Sequence, residues 1–433
     1  MTRFKSVLFG NAAIYLGANI LNAAIPFLLL PILTRVLTPA DYGIVAMFGI
    51  VLSVLGAFTG LSVHGAIGVR YFQMQKNELA EYVGTCIGIL VISTSFIFLL
   101  VVFFGSWLSA VTGVPLDWLL VAVVLSGLQF LGNIRLSLWQ VDGQAKKYGA
   151  FQVTQSLLNA CFSLIFILIV GMAWQGRVLG QALAIGMSGV VALWWLLKDD
   201  LLVTPVAWRR YGADALKFGV PLIPHVIGGL VISTGGQFIV TNMFGMYETG
   251  LYVVGVQLGL VLGLISDAFV KSFGPWMYKK LNEDSMVIRH LIVGVIYCSF
   301  LFFLIVSLVF SVVIYIIFPL IVGDNFLPAR SLIAYFIFGN GFVGMYFAIA
   351  GFFFFTSKTK FISIVTITSG VFSIIIMWIL GNYFGINGIA LGYLLSQMIM
   401  FILAWKMATW VYPMPWLEFR LAFVTMAELY LKK

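Results

Sequence analysis

The chain reads as an all-α polytopic membrane protein, with about twelve transmembrane helices in two pseudo-symmetric six-helix bundles around a central cavity. Three observations predict that architecture. Of 433 residues, 62% are hydrophobic and 9% charged, at a mean hydropathy of +1.09, whereas a soluble domain carries about 25% charged residues. So little polar surface cannot cover a water-soluble chain of this length. Apolar stretches of about 20 residues, the length that crosses a bilayer, recur from end to end. The chain also echoes itself at half its length. Thr34, Asp41, Gly43 and Gly56 fall on Thr241, Glu248, Gly250 and Gly263 at an offset of 207, and at the same offset His64 falls on Lys271.

The spans are expected at 9–33, 42–68, 80–106, 116–139, 150–171, 177–197, 216–243, 249–273, 288–320, 330–355, 359–380 and 386–409. The first follows Arg3 and Lys5 without an A-x-A cleavage pattern, so it is expected to act as an uncleaved insertion signal. The loops are short and none reads as a soluble domain. Residues 1–200 (spans one to six) and 201–410 (spans seven to twelve) are the expected lobes. An amphipathic cytoplasmic tail is expected at 411–433, broken at Pro413 and Pro415 and lying at the interface. Arg70, Lys76, Lys146, Lys147, Lys198, Arg209, Arg210, Lys217, Lys279, Lys280, Arg289, Lys358 and Lys360 all fall on one side. The other side carries Arg35, Arg177 and Arg330 among several acids. The positive-inside rule then places both termini in the cytoplasm. It also accounts for the net charge of +9 without a nucleic-acid partner. Cys86, Cys161 and Cys298 each sit in an apolar stretch with no partner at metal-ligand spacing, as small core residues do.

Two further matches extend the repeat. Lys147-Tyr148 and Lys360-Phe361 open the fifth span of each half, 213 residues apart, and Gly176-x-x-x-Gly180 and Gly388-x-x-x-Gly392 open the sixth, 212 apart. Six spans is an even number, so the halves are parallel repeats, the arrangement of rocking-bundle transporters with a central site.

A charge left in the hydrocarbon costs about 2.5–3.5 kcal/mol by insertion scales, so retained charges face a cavity or a partner. Gly56, Gly60 and His64 are spaced along one helical face, drifting about 40° per step. His64 lies about 33 Å along the helix from Tyr42, near the inner headgroups, and Lys271 occupies the equivalent level. The two form an expected basic pair for an entering anionic headgroup; alternatively Lys271 snorkels and pairs with Asp267 at i−4. Arg135 offers two roles, substrate contact or stacking on Trp139 one turn away, with Gln129, Asn133 and Gln140 on the opposite face. In the seventh span, Pro221, Pro224 and paired glycines predict a bent or broken helix and a hinge. Such helices are tolerated where they line a cavity, and His225 sits one turn past Pro221. Arg70 and Lys217 lie at the inner mouth, and Arg35 and Arg330 at the outer one. The chain has no Walker A motif, no His/Cys cluster for a metal and no catalytic constellation, so neither enzymatic chemistry nor a cofactor is expected. Asp267 is the one carboxylate placed clearly inside a span, whereas a cation carrier needs acids in its cavity.

The run Leu30-Pro31-Ile32-Leu33-Thr34-Arg35-Val36-Leu37-Thr38-Pro39-Ala40-Asp41-Tyr42-Gly43 resembles the first-loop signature of Wzx-like bacterial polysaccharide flippases. These are O-antigen and repeat-unit exporters of the multidrug/oligosaccharidyl-lipid/polysaccharide superfamily. Gly219-Val220-Pro221-Leu222-Ile223-Pro224 and the twelve-span plan resemble the same family, so the likeness covers essentially the whole chain. The resemblance implies a flippase for an undecaprenyl-pyrophosphate-linked oligosaccharide in the bacterial cytoplasmic membrane. A basic cavity would take the pyrophosphate and sugar while the polyprenyl tail stays in lipid. A polysaccharide polymerase and a chain-length regulator are the implied protein partners, and a proton, Na+ or the membrane potential the implied energy source. Many relatives carry an Asp-Arg pair late in the seventh span; this chain has Gly236-Gln237 or Thr241-Asn242 there, so that pair's role does not carry over. Two alternatives stand beside this reading: a multidrug/cation antiporter of the same superfamily, and a non-transporting assembly partner in polysaccharide synthesis.

Overall fold

The computed structural model describes residues 2–283, 285–356, 358 and 360–430, with the side chains of 2–13, 15, 16, 429 and 430 outside the description. Lys432 and Lys433 of the tail therefore lie outside the described residues. No strand occurs among those described. Spans one to six correspond to α1 (Thr2–Val36), α2 (Pro39–Phe58) with α3 (His64–Arg70), α4 (Lys76–Thr112), α5 (Leu116–Val141), α6 (Ala145–Leu164) and α7 (Trp174–Lys198). Then follow α8 (Trp208–Gly219), α9 (Ile223–Phe244), α10 (Met246–Leu281), α11 (Met286–Ile321), α12 (Ile333–Phe355), α13 (Lys360–Val411) and α14 (Phe419–Tyr430). At 52 residues, α13 would be about 78 Å long as one rod, far more than the ~30 Å of hydrocarbon. Gly385, at φ 61° and ψ −147°, turns the chain back inside it. The two arms are the eleventh and twelfth spans.

Local chemistry explains where the helices begin. Thr38 caps α2: its Oγ1 accepts from the Asp41 N–H at 3.2 Å, and Asp41 Oδ2 accepts from the Thr38 N–H at 3.0 Å. Pro39 follows at a position where its missing N–H costs nothing. Asp41, the acid of the repeated loop motif, is thus a helix start signal. The G-x-x-x-G pairs serve packing. A Cβ on Gly180 would lie 2.4 Å from Ser163 N, and one on Gly392 would lie 2.8 Å from Met377 Cα. Each sixth span therefore lies backbone-close against the preceding one, as small residues permit in membranes.

The chain divides into two compact units: Met1–Thr234 with Gly245–Gly250, and Gly235–Phe244 with Leu251–Lys433. The seventh span is shared between them, since Tyr211 and Ala215 of α8 belong to the core built on Tyr82, Val83, Phe130 and Ile134 in the first unit. A second core in that unit gathers Met47, Phe48, Leu52, Leu119 and Val123. The core of the second unit is aromatic, with Phe300, Phe303, Phe352, Phe353 and Trp416.

The tail is held against the protein. After Pro413 and Pro415 the chain turns, and α14 packs on α11 inside the second unit. Tyr297 OH donates to Trp416 O at 2.6 Å, His290 Nε2 lies 2.8 Å from Glu418 Oε2, and a Cβ on Gly294 would meet Ala422 O at 2.6 Å. Trp416 is 8% exposed and Ala422 fully buried. Leu417, Phe419, Leu421, Phe423 and Val424 stay exposed, so the protein covers only one side of this segment. Trp416→Ala is expected to cost about 3–5 kcal/mol and to make residues 412–430 the first site of proteolytic cleavage. Unchanged melting and protection would contradict the docking.

Candidate functional site

The second span is not one helix. It ends at Phe58, passes through a 3-10 turn over Thr59–Ser62, and resumes as α3. Gly60, Leu61 and Ser62 have φ of 72°, 49° and 56°. Left-handed backbone costs roughly 1–2 kcal/mol for a non-glycine residue, and strain of this kind gathers at functional sites. The expected common face of Gly56, Gly60 and His64 is therefore corrected: the break reorients His64 relative to the glycines. Backbone groups freed inside a bilayer need partners. The Gly60 N–H donates to Ser93 Oγ at 2.8 Å, and Ser93 Oγ donates to Leu90 O at 3.1 Å.

The seventh span tightens where its prolines lie but stays helical from Trp208 to Phe244, with no break in its backbone. Between α8 and α9 lies a 3-10 turn, Val220–Leu222, centred on Pro221, with Pro224 in the first turn of α9. The second-span break abuts this turn. A Cβ on Gly219 would lie 2.3 Å from Leu61 O, and one on Gly65 would lie 3.3 Å from Phe218. His64 stands beside this junction, edge-on to Phe130 at 5.3 Å, and its buried Nδ1 has no hydrogen-bond partner.

The other predicted residues fall into distinct settings. Arg70 grips Asp214 with two bonds, Nε–Oδ2 at 2.8 Å and Nη2–Oδ1 at 2.6 Å, and Tyr82 OH donates to the same carboxylate at 2.9 Å. The hydrogen bond with Asp214 holds Arg70 above its ordinary pKa. Arg70 is thus a clamp between α3 and α8. Lys217, on α8, and His225, on α9, are exposed. Lys271 is corrected from a buried charge: its Nζ is 2.5 Å from Asp267 Oδ2 and its side chain is 55% exposed, so the i−4 pair forms. Unlike α2, α10 runs unbroken through this stretch, and the two halves differ here. Arg35 Nη1 donates to Pro31 O at 2.6 Å. Arg330 Nε donates to Tyr315 O at 2.8 Å, with the guanidinium 3.7 Å from that ring.

Arg135 and the amide stripe line separate cavities of the first unit. Arg135, 2% exposed, pairs with Asp199 and stacks on Trp139 at 4.6 Å. It floors a cleft of about 670 Å3 where α4, α5, α6 and α7 meet. Tyr71 OH donates to Asp142 Oδ1 at 2.8 Å on its wall, and that bond holds the phenol above its usual pKa. Gln129 and Asn133 line a polar crevice of about 160 Å3 with Asn22, Gln152 and Ser156. There Ser156 Oγ donates to Asn22 Oδ1 at 2.7 Å, and Asn22 Nδ2 donates to Gln152 Oε1 at 3.3 Å. Gln140 is exposed and lines neither. The helix break at residues 59–62, the Asp214 and Asp199 partners and Trp195 were not found by sequence reasoning. Long-range pairing leaves no local signal.

Long apolar helices, one of them interrupted, define a multi-pass membrane protein. The family described as polysaccharide biosynthesis protein matches residues 8–280, and the chain belongs to it. A Haemophilus influenzae protein of the Lsg locus is 25% identical over 361 residues, covering 82% of this chain and 86% of its own. An uncharacterised membrane protein of the same organism is 26% identical over 374 residues, 84% and 87% of the two chains. Two solved structures share the fold. An inward-facing multidrug resistance MATE family transporter superposes with a TM-score of 0.67 at 15% identity, over 92% of this chain and 97% of that one. The lipid II flippase MurJ, inward closed, gives 0.62 at 16% identity, over 100% and 92%. The chain therefore belongs to the polysaccharide biosynthesis protein family and shares its fold with these two transporters.

Proposed function

We propose that this protein flips an undecaprenyl-pyrophosphate-linked oligosaccharide, an O-antigen or similar repeat unit, across the bacterial inner membrane. The movement runs from the cytoplasmic to the periplasmic leaflet by alternating access, with both termini cytoplasmic. The observation that carries the reading is the break in the second span beside His64, packed against the 3-10 turn of the seventh, with the buried Nδ1 of His64 lacking a partner. Interrupted helices present backbone and side-chain donors at membrane depth. A pyrophosphate is the group that such donors, with cationic neighbours at reduced dielectric, hold best. His64 and Lys271 are the proposed anion-receiving groups, with His225 and Lys217 along the bent seventh span. Pro221 and Pro224 are the proposed hinge. The amide-lined crevice beside Asn22 and Gln152 has the chemistry to bind sugar hydroxyls. A polymerase and a chain-length regulator are the proposed protein partners, with a proton, Na+ or the membrane potential as driving force. A cation antiporter calls instead for several carboxylates in its cavity, and Asp267 is the one acid that the sequence places clearly inside a span.

Complementation of a flippase-null strain tests this. His64→Ala with Lys271→Ala is expected to lower surface polysaccharide about tenfold or more, the effect of losing a charge-assisted hydrogen bond, at unchanged membrane abundance. Normal polysaccharide from the double variant would overturn the basic-site reading.

A further inference from the structure

The cleft floored by Arg135 does not end at its polar walls. Trp139 and Lys147 also line a second cavity, an apolar groove of about 290 Å3 between α6 and α7 that includes Ala150, Leu158, Met187 and Val191. The polar cleft sits where α5 ends, α6 begins and α7 ends, the level of a membrane interface. The groove leads away from it along α6 from Lys147 to Leu158 and along α7 from Trp195 back to Met187. At 1.5 Å per residue that is about 12–16 Å, roughly half of the ~30 Å hydrocarbon core and so the depth of one leaflet. A polar chamber opening into an apolar slot one leaflet deep has the shape and polarity of a lipid.

The head of that lipid is defined by charge. Trp195 is ringed by cations: Arg135 Cζ lies 5.7 Å from its ring, Lys147 Nζ 4.9 Å and Lys198 Nζ 5.1 Å. Of the three acids of the cleft, Asp199 is paired with Arg135, while Asp142 is hydrogen-bonded by the neutral Tyr71 and Gln144 and keeps its charge. Against Asp142 and Asp200 there then stand Lys76, Lys147 and Lys198, an excess of one positive charge. Within this wall Arg135 Nε and Trp139 Nε1 are buried N–H donors with no partner, on side chains 2% and 3% exposed. Buried donors left unmade cost about 1–3 kcal/mol each, and a bound acceptor removes that cost.

We propose that this cleft and groove form a site for an anionic membrane phospholipid, its phosphate held among Lys147, Lys198 and the Arg135 and Trp139 donors and one acyl chain in the groove. The site is built wholly within the first unit and does not depend on which lipid-linked sugar the protein moves. It would tie the ends of α5, α6 and α7 together at the membrane surface.

Native mass spectrometry of the full-length protein in nanodiscs tests it, comparing phosphatidylglycerol with phosphatidylcholine and adding inorganic phosphate as competitor. Wild type is expected to retain phosphatidylglycerol over phosphatidylcholine, with phosphate alone a poor competitor. Lys147→Glu with Lys198→Glu is expected to lower retention about tenfold or more. Ala150→Trp, which fills the groove, is expected to lower it as much without changing charge. All three positions are exposed, so the variants should melt as wild type does, and Met187→Trp gives a second block of the groove should Ala150→Trp fold poorly. Equal retention of phosphatidylcholine, full displacement by inorganic phosphate, or retention unchanged in the groove variants would overturn the proposal. Preferential capture of a polyprenyl phosphate over phosphatidylglycerol would assign the site to the transported lipid and overturn it as well.

Discussion

Gly43→Ala and Gly250→Ala are each expected to destabilise the protein by about 3 kcal/mol, the upper end of the cost of overpacking. A Cβ on Gly43 would lie 2.2 Å from Met246 O and 3.2 Å from Gly250 N. A Cβ on Gly250 would lie 1.9 Å from Pro39 O. These contacts are with main chain, so no side-chain rotamer relieves them and a helix must move. The first turn of α2 and the first turn of α10 meet backbone to backbone, and the two glycines that permit it are the ones related by the 207-residue repeat. Gly49→Ala is the control. It lies on the same helix, a Cβ there has nothing within 4 Å, and alanine favours helix by about 1 kcal/mol over glycine. Thermal melting in nanodiscs separates the cases: Gly43→Ala and Gly250→Ala below wild type, Gly49→Ala at or above it. Equal melting of Gly43→Ala and Gly49→Ala would remove the close approach as the reason for the repeated glycine.

That result shows what the sequence could and could not disclose. The repeat motif was visible as residue identities, and the Asp41 and Gly43 positions proved to be a helix cap and a contact surface. Apolar length placed the spans because a bilayer imposes it, and Pro221 marks the 3-10 turn of the seventh span because proline has no N–H for the helix ladder. The second-span break left no such trace. Leu61 and Ser62 are unexceptional in a helix, and Gly60 alone reads as a helical glycine. The break is enforced by partners far away in sequence, Ser93 receiving the Gly60 N–H and Gly219 lying on Leu61 O. The Lys271–Asp267 pair was legible because it is local, at i−4. Arg135–Asp199 joins residues 64 apart, and the tail docks because Gly294 leaves a bare patch for Ala422; neither has a local pattern to read.

The second-span break therefore carries the sharpest remaining expectation. Gly60→Ala meets two penalties at once: left-handed backbone disfavoured by roughly 1–2 kcal/mol in a residue with a side chain, and a Cβ 2.2 Å from the Phe130 ring. Phe130 is 2% exposed and held edge-on by His64, so the ring has little room to retreat. Together these predict a loss of about 3 kcal/mol or more. Phe130→Leu in the same protein should restore the steric part but not the backbone part, a coupling that a double-mutant cycle measures. Ser62→Gly works in the opposite direction. Ser62 is buried at φ 56°, and glycine there relieves backbone strain while removing little packing, so melting should rise by the equivalent of about 1 kcal/mol. If the strained turn is held for function, as such turns are when the surrounding structure over-determines them, transport should fall in Ser62→Gly even as stability rises. A rise in both would mean that the turn serves packing alone and that the second-span break beside His64 is not the moving part of the proposed flippase.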